Sequence, residues 1–125
     1  MSQIQKITII EDDLAILQMY KYKLEAAGYE VSTAAEGASG LHVLEHVVPD
    51  LMLLDIKMPY LPGQEVLKRV RATEWGANIK VIVLTNVSRD EAPHEFRVLG
   101  VDAYAVKAHY TPGQILDLVK SVLNK

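Results

Sequence analysis

Five times along this chain a short run of apolar residues gives way to an apolar stripe at helical spacing. That alternation restricts the fold more than any other feature of the sequence. "KITII" (6–10) reads as a buried strand. Leu14, Leu17, Tyr20, Leu24 and Ala27 then recur at helical spacing, and Gly28 stands where a helix end favours a left-handed residue. "YEVSTA" (29–34) alternates apolar and polar, as a strand at a sheet edge would. Ala38, Leu41, Leu44 and Val48 mark a second helix, ended by Pro49. "LMLL" (51–54) is wholly apolar, and Val66, Leu67 and Val70 follow on a third helix opened by Pro62. "KVIVLT" (80–85) is a β-branched strand, and Ala92, Phe96 and Leu99 define a fourth helix stopped by Gly100. "AYAV" (103–106) is a fifth strand, and Ile115, Leu116, Val119, Val122 and Leu123 stripe the last helix.

Strands alternating with helices imply an α/β domain, a parallel sheet with helices on both faces. Continuous apolarity in the central strands and alternation in the second place the second strand at an edge. The expectation is a doubly wound, five-stranded, flavodoxin-like sheet of order 2-1-3-4-5. A length of 125 residues suits one domain over residues 1–125. A net charge of −3 argues against direct nucleic-acid binding, which favours a basic face. The chain has no cysteine, which excludes disulfides and thiolate metal sites. "MSQIQKITII" lacks the features of a secretory signal, and no apolar run reaches the length of a membrane span. A cytoplasmic protein with no membrane association is expected.

In such sheets ligands bind beyond the carboxyl ends of the strands, where the strand order reverses. Here that point lies between strands one and three. Strand one ends in Glu11-Asp12-Asp13, strand three in Asp55 and strand four in Thr85, while strand five leads into Lys107. Asp12 and Asp55 should therefore lie close together, and their charges repel unless a cation intervenes. Oxygen donors without His or Cys point to Mg²⁺ rather than zinc. A carboxylate beside a hydroxyl and a lysine suits phosphoryl transfer. Asp55 would be the nucleophile, Thr85 a hydrogen-bond donor and Lys107 a neutralising charge.

Each residue has a plainer reading. An Asp pair before a helix is an N-cap, a strand-ending Asp starts a turn, and Thr85 bonds backbone. By the same reasoning Lys107 is solvated and Tyr104 is core. Joint placement at one end of successive strands is what favours chemistry. His42, His46, His94 and His109 form no convincing site; Met58 packs and Pro59 shapes its loop.

At this point the sequence resembles the receiver domain of bacterial two-component response regulators, over essentially the whole chain. "IIEDD" resembles the family's acidic pocket. "LLDIKMPYLPG" resembles its phosphoacceptor loop, with Met-Pro and a Gly eight residues past the aspartate. "VIVLTN" and "GVDAYAVK" resemble its fourth and fifth strands. The resemblance implies that Asp55 is the phosphorylation site and that Asp12 binds Mg²⁺ directly, Glu11 through water. The backbone carbonyl of Lys57 is the implied third protein ligand. Thr85 and Tyr104 are the implied switch pair, Lys107 the phosphate-binding lysine, and Asp13 is left to cap the first helix. It implies a phosphoryl acceptor that assists its own phosphorylation and dephosphorylation, not an enzyme in the ordinary sense. The implied partners are a sensor histidine kinase or phosphotransfer protein and a downstream protein, with a homodimer through the last helices left open.

The sequence departs from the family pattern at three places. Ala108 replaces the usual proline after the lysine, so a trans peptide is expected there. "AHYTPG" is one residue longer than usual, and Asn86 replaces a small residue after Thr85. Lys57 and Val87 border the path of attacking water in receivers, so Lys57 is expected to alter the lifetime of the acyl phosphate. The initiating Met and the clean end after the last helix favour a stand-alone receiver over a fragment. One rival is a receiver-like binding module that signals without phosphate. Another, a haloacid-dehalogenase-type phosphohydrolase, needs a second Asp where Lys57 stands. A nucleotide-binding domain would need a Gly-rich loop after the first strand, and none is present.

Overall fold

The computed structural model describes residues 3–92 and 94–125, apart from the side chains of Arg89 and Arg97. Met1, read above as a natural start, lies outside the described residues. Strands Lys6–Ile10 (β1), Glu30–Ala34 (β2), Leu51–Leu54 (β3), Lys80–Thr85 (β4) and Ala103–Val106 (β5) pair in parallel in the order β2-β1-β3-β4-β5. The helices are Leu14–Ala26 (α1), Gly37–His46 (α2), Gly63–Arg71 (α3), Glu95–Val98 (α4) and Pro112–Leu123 (α5). The expected strand order is the observed one.

Side chains alternate across the sheet because successive Cβ atoms point to opposite faces. Ile7, Ile9, Leu51, Leu53, Ile82 and Leu84 pack with Leu17, Tyr20 and Leu24 of α1 and Ile115, Val119 and Val122 of α5. Ile10, Met52, Leu54, Val81 and Val83 pack with Leu44 of α2 and with Val66, Leu67 and Val70 of α3. Two apolar layers thus sandwich β3, whose four residues are all buried. β2, at the edge, buries only Ala34 fully. Thr8, 1% exposed in β1, has a hydroxyl without a hydrogen-bond partner among the described residues.

Three expectations need correction. The buried face of α2 is Gly37, Gly40 and Leu44, while Ala38 is exposed and Val48 lies beyond the helix. A β-carbon on Gly40 would stand 2.6 Å from Ile10 Cδ1, so the glycines let α2 close on β1. Leu14, placed in the stripe of α1, is 62% exposed. The fourth helix is one turn, Glu95–Val98, preceded by a 3₁₀ turn at Arg89–Glu91. His94 at its start supplies no side-chain cap, and so short a helix has little hydrogen bonding to offset its nucleation. Gly100, at φ +72, ends it as expected.

Contacts from α3 hold this short segment. Arg71 donates to the carbonyls of Leu99 (2.7 Å), Gly100 (3.0 Å), Gly76 (2.8 Å) and Ile79 (2.8 Å). Lys68 pairs with Glu95 at 2.6 Å. The β3–α3 loop carries a further constraint. Tyr60 has φ +66, and the Leu61 N–H donates to the Pro59 carbonyl at 2.8 Å. A two-residue hydrogen bond about a positive φ is the strained form of γ-turn. For a residue with a β-carbon the left-handed region costs about 1–2 kcal/mol. Among the described residues no peptide bond is cis, so the Lys107–Ala108 bond is trans.

Candidate functional site

Register brings the acidic residues together. Ile10 pairs with Leu54, and the next N–H along β3, that of Asp55, donates to the Ile10 carbonyl at 3.0 Å. Glu11 N–H donates to the Ala34 carbonyl of β2 at 3.0 Å. The end of β1 is therefore pinned on both sides, and carboxylates far apart in sequence leave the sheet side by side. Ligand oxygens of Glu11, Asp12 and Asp55 lie within 4.8 Å of one another. On β4 and β5, Thr85 pairs with Val106, and Lys107 follows directly.

Gly63 holds the loop against the site. Its N–H donates to the Ile56 carbonyl at 3.0 Å, and a β-carbon there would lie 2.3 Å from the Asp55 carbonyl oxygen. Only a residue without a side chain lets α3 begin so close to the backbone that carries Asp55. Met58 is buried beneath the loop, as its packing role requires.

Lys107 reaches back across the sheet edge. Its Nζ contacts Glu11 Oε1 and lies 3.1 Å from Asp55 Oδ2. Asp55 Oδ1 accepts the Lys57 N–H at 3.1 Å. Glu11 Oε2 accepts the Asp13 N–H at 3.1 Å, and Asp13 caps α1 by accepting from Ala15 and Ile16. Capping thus falls to Asp13, while Glu11 and Asp12 stay in the group of carboxylates that could hold a cation. Burial pushes the Glu11 carboxyl up to about 7, against the opposing pull of Lys107 and the Asp13 N–H. For Lys107, burial alone would lower the pKa. The hydrogen bond to Glu11 and the charge of Asp55 outweigh it and hold the ammonium above its usual value.

Glu11, Asp12, Asp55, Lys57, Thr85 and Lys107 all line one cleft of about 260 Å³, with Asp13, Ile16 and Asn86. Thr85 is fully buried, and its Oγ1 accepts the Val87 N–H at 3.4 Å. Tyr104 does not line the cleft. Half-buried, it stands edge-on to Phe96, with ring centroids 6.5 Å apart, and its hydroxyl donates to the Val87 carbonyl at 2.8 Å. Thr85 and Tyr104 therefore bond opposite sides of one loop residue. In the sequence Tyr20 stands out only as part of the α1 stripe. Its buried ring lies in the electrostatic reach of Lys107 and Glu11, and burial raises its hydroxyl pKa. A polar-tipped aromatic among otherwise aliphatic core positions is the signal that marks it. The four histidines are exposed; His46 Nδ1 lies 2.9 Å from the His42 carbonyl, inside their own helix.

The donor set is three carboxylates and no nitrogen or sulfur. It fits a hard divalent cation such as Mg²⁺. A family model for the response regulator receiver domain matches residues 7–120. The chain belongs to that family. Receiver domains are phosphoryl acceptors of two-component signalling rather than ordinary enzymes, so the reading as a module that signals without phosphate is not favoured. The chain is 34% identical over 122 residues to the phosphate regulon transcriptional regulatory protein PhoB of Rhizobium meliloti, covering 96% of this chain and 52% of that one. It spans about half the length of most curated relatives it matches. Sporulation initiation phosphotransferase F of Bacillus subtilis is different: it is 32% identical over 95% of this chain and 94% of its own. A CheY-like receiver domain from Methanospirillum hungatei superposes with a TM-score of 0.89 at 34% identity, covering 98% of this chain and 95% of its own. Among the described residues no helix is long and apolar enough to cross a membrane.

Proposed function

We propose that residues 1–125 are one receiver domain whose phosphoacceptor is Asp55. The observation that carries this reading is the Asp55 carboxylate, held between the Lys57 N–H and the Lys107 ammonium at the edge of a carboxylate trio. An Asp55 oxygen attacks the phosphorus of a phosphohistidine. The new O–P bond forms as the P–N bond breaks, and the imidazole keeps the electron pair and gains a proton. Lys107 is already charged and beside Asp55, so it can follow the phosphoryl oxygens without reorganising solvent. Glu11, Asp12 and Asp55, with the backbone carbonyl of Lys57, are the ligands proposed for Mg²⁺. When bound, that ion supplies charge neutralisation at the phosphoryl oxygens.

The partners proposed are a sensor histidine kinase or phosphotransfer protein as donor and a downstream protein as target, in the cytoplasm. A homodimer through the last helices would change only how the output is presented. Direct nucleic-acid binding is disfavoured by the charge of −3. The switch proceeds through Thr85 and Tyr104. Phosphate adds nearly two negative charges and draws the Thr85 hydroxyl toward it. That movement shifts Val87, whose N–H bonds Thr85 and whose carbonyl holds Tyr104, and the face of α4, β5 and α5 responds. Lys57, exposed at the cleft, sets the lifetime of the aspartyl phosphate and so the rate of self-dephosphorylation.

Phosphotransfer with and without Mg²⁺, on wild type and Asp55→Asn, tests the reading. Wild type should label only with the metal, and Asp55→Asn not at all; full labelling of the variant would move the site elsewhere. An unchanged Tyr104 environment with beryllofluoride and Mg²⁺ would sink the switch. Equal dephosphorylation rates for wild type and Lys57→Ala would remove the role given to Lys57.

A further inference from the structure

The second helix carries two side chains that the phosphoacceptor reading leaves unused. His42 and His46 stand four apart in "HVLEH", and both are exposed. Their rings lie side by side, with centroids 4.2 Å apart and planes tilted by 46°. Residues four apart share a helix face, so α2 itself holds the two rings together.

His46 Nδ1 lies 2.9 Å from the His42 carbonyl. A carbonyl only accepts, so Nδ1 is the donor and carries the proton. The neutral ring is thereby fixed in the tautomer whose Nε2 keeps its lone pair. A metal-ligating histidine is commonly oriented in this way, by a backbone carbonyl on its other nitrogen. An ion holding a nitrogen of each ring at about 2.0–2.1 Å spans rings this close without unwinding the helix.

Electrostatics favour a cation at the same place. His46 is the last residue of α2, where the carbonyls of the final turn give a helix a partial negative charge. α2 has no lysine or arginine to balance it, and Glu45 adds a further negative charge.

From this placement we infer that His42 and His46 chelate a divalent transition metal of the zinc class on the outer face of α2. The site differs from the acidic cleft in chemistry and in position. Imidazole nitrogen suits Zn²⁺ and Cu²⁺, whereas carboxylate oxygen suits Mg²⁺. His46 precedes the amino end of β3 at Leu51, and Asp55 follows its carboxyl end. Among the described residues no third histidine or carboxylate joins the pair, so water completes the coordination shell. The ion ties the last turn of α2 together and does not depend on phosphorylation of Asp55.

Calorimetric titration of the chelator-stripped chain with Zn²⁺ tests the inference, in saturating Mg²⁺ so that the acidic cleft is occupied. Wild type should bind one Zn²⁺ and melt at a higher temperature with it. His42→Gln and His46→Gln should each weaken binding about tenfold or more, and His94→Gln and His109→Gln should bind as wild type. A second measurement needs no substitution. Substoichiometric Cu²⁺ should broaden the ring proton resonances of His42 and His46 before those of His94 and His109. Unchanged Zn²⁺ affinity in the double variant H42Q/H46Q would overturn the inference, and so would Cu²⁺ broadening of all four histidines together. Displacement of Zn²⁺ by raised Mg²⁺ would overturn it as well, because the ion would then sit among the carboxylates.

Discussion

Replacing Gly63 by alanine should damage both stability and phosphorylation, for one geometric reason. The added β-carbon would lie 2.3 Å from the Asp55 carbonyl oxygen, 2.6 Å from Ile56 Cα and 2.9 Å from the Asp55 carbonyl carbon. Ordinary contact begins near 3.4 Å, so the helix start and the loop must part by roughly 1 Å. All three obstacles are backbone, so no side chain can rotate aside. Overpacking costs about 1–3 kcal/mol, and a backbone obstacle puts this case near ~3 kcal/mol. Alanine's better helix propensity returns at most about 1 kcal/mol. The net loss of ~2–3 kcal/mol corresponds to a fall of roughly 10 °C in Tm for a domain of this size. The same displacement moves the peptide that carries Asp55, and a misplacement of ~1 Å is enough to slow a positioned reaction about 100-fold. Urea unfolding and acetyl phosphate labelling under conditions where the variant is folded measure the two effects separately. If Gly63→Ala keeps wild-type stability and labelling within experimental error, the close approach of α3 to the Asp55 backbone is not what positions the site.

Other changes probe other parts of the molecule. Thr8→Val replaces a buried hydroxyl that has no partner among the described residues with a methyl of the same shape, and should raise stability by about 1 kcal/mol, read as a higher urea midpoint at unchanged slope. Arg71→Lys should cost ~2 kcal/mol, because one ammonium cannot reach carbonyls on both loops that the guanidinium spans. Native-state hydrogen exchange should then quicken around residues 98–102; unchanged exchange would show that the clasp is dispensable. Mg²⁺ at ten times its dissociation constant should add ~1.4 kcal/mol to stability. Asp12→Asn should shift that thermal response to higher Mg²⁺; an identical response would remove Asp12 from the ligand set.

Much of the site was legible because the strands announce their own ends. Asp55 closes the apolar "LMLL", the acidic run closes "ITII", and the parallel order makes those two ends neighbours. Asp55 as nucleophile and a shared Mg²⁺ followed from that placement and the oxygen donors, whereas direct ligation by Asp12 and ligation through water by Glu11 came from the resemblance. Tyr20 was harder to read, since its spacing on α1 says only that it is buried. Proximity to Lys107 and Glu11 depends on how α1 lies across the sheet. Tyr60 gave no signal at all, because nothing in "PYLP" fixes the sign of φ at the tyrosine.

Periodicity in the sequence therefore determined the element order, the two-sided core and the edge position of the second strand. Each of these follows from a local rule, that a residue's neighbour on a face lies two or about four positions away. Tertiary structure decided which carboxylates share Lys107, since Glu11 and Lys107 meet only after β1, β3, β4 and β5 are in register. It also decided that glycines make the buried face of α2 and that α4 shrinks to one turn. Close approach and the balance of a few hydrogen bonds against chain entropy are properties of packed surfaces, and no spacing along one chain encodes them.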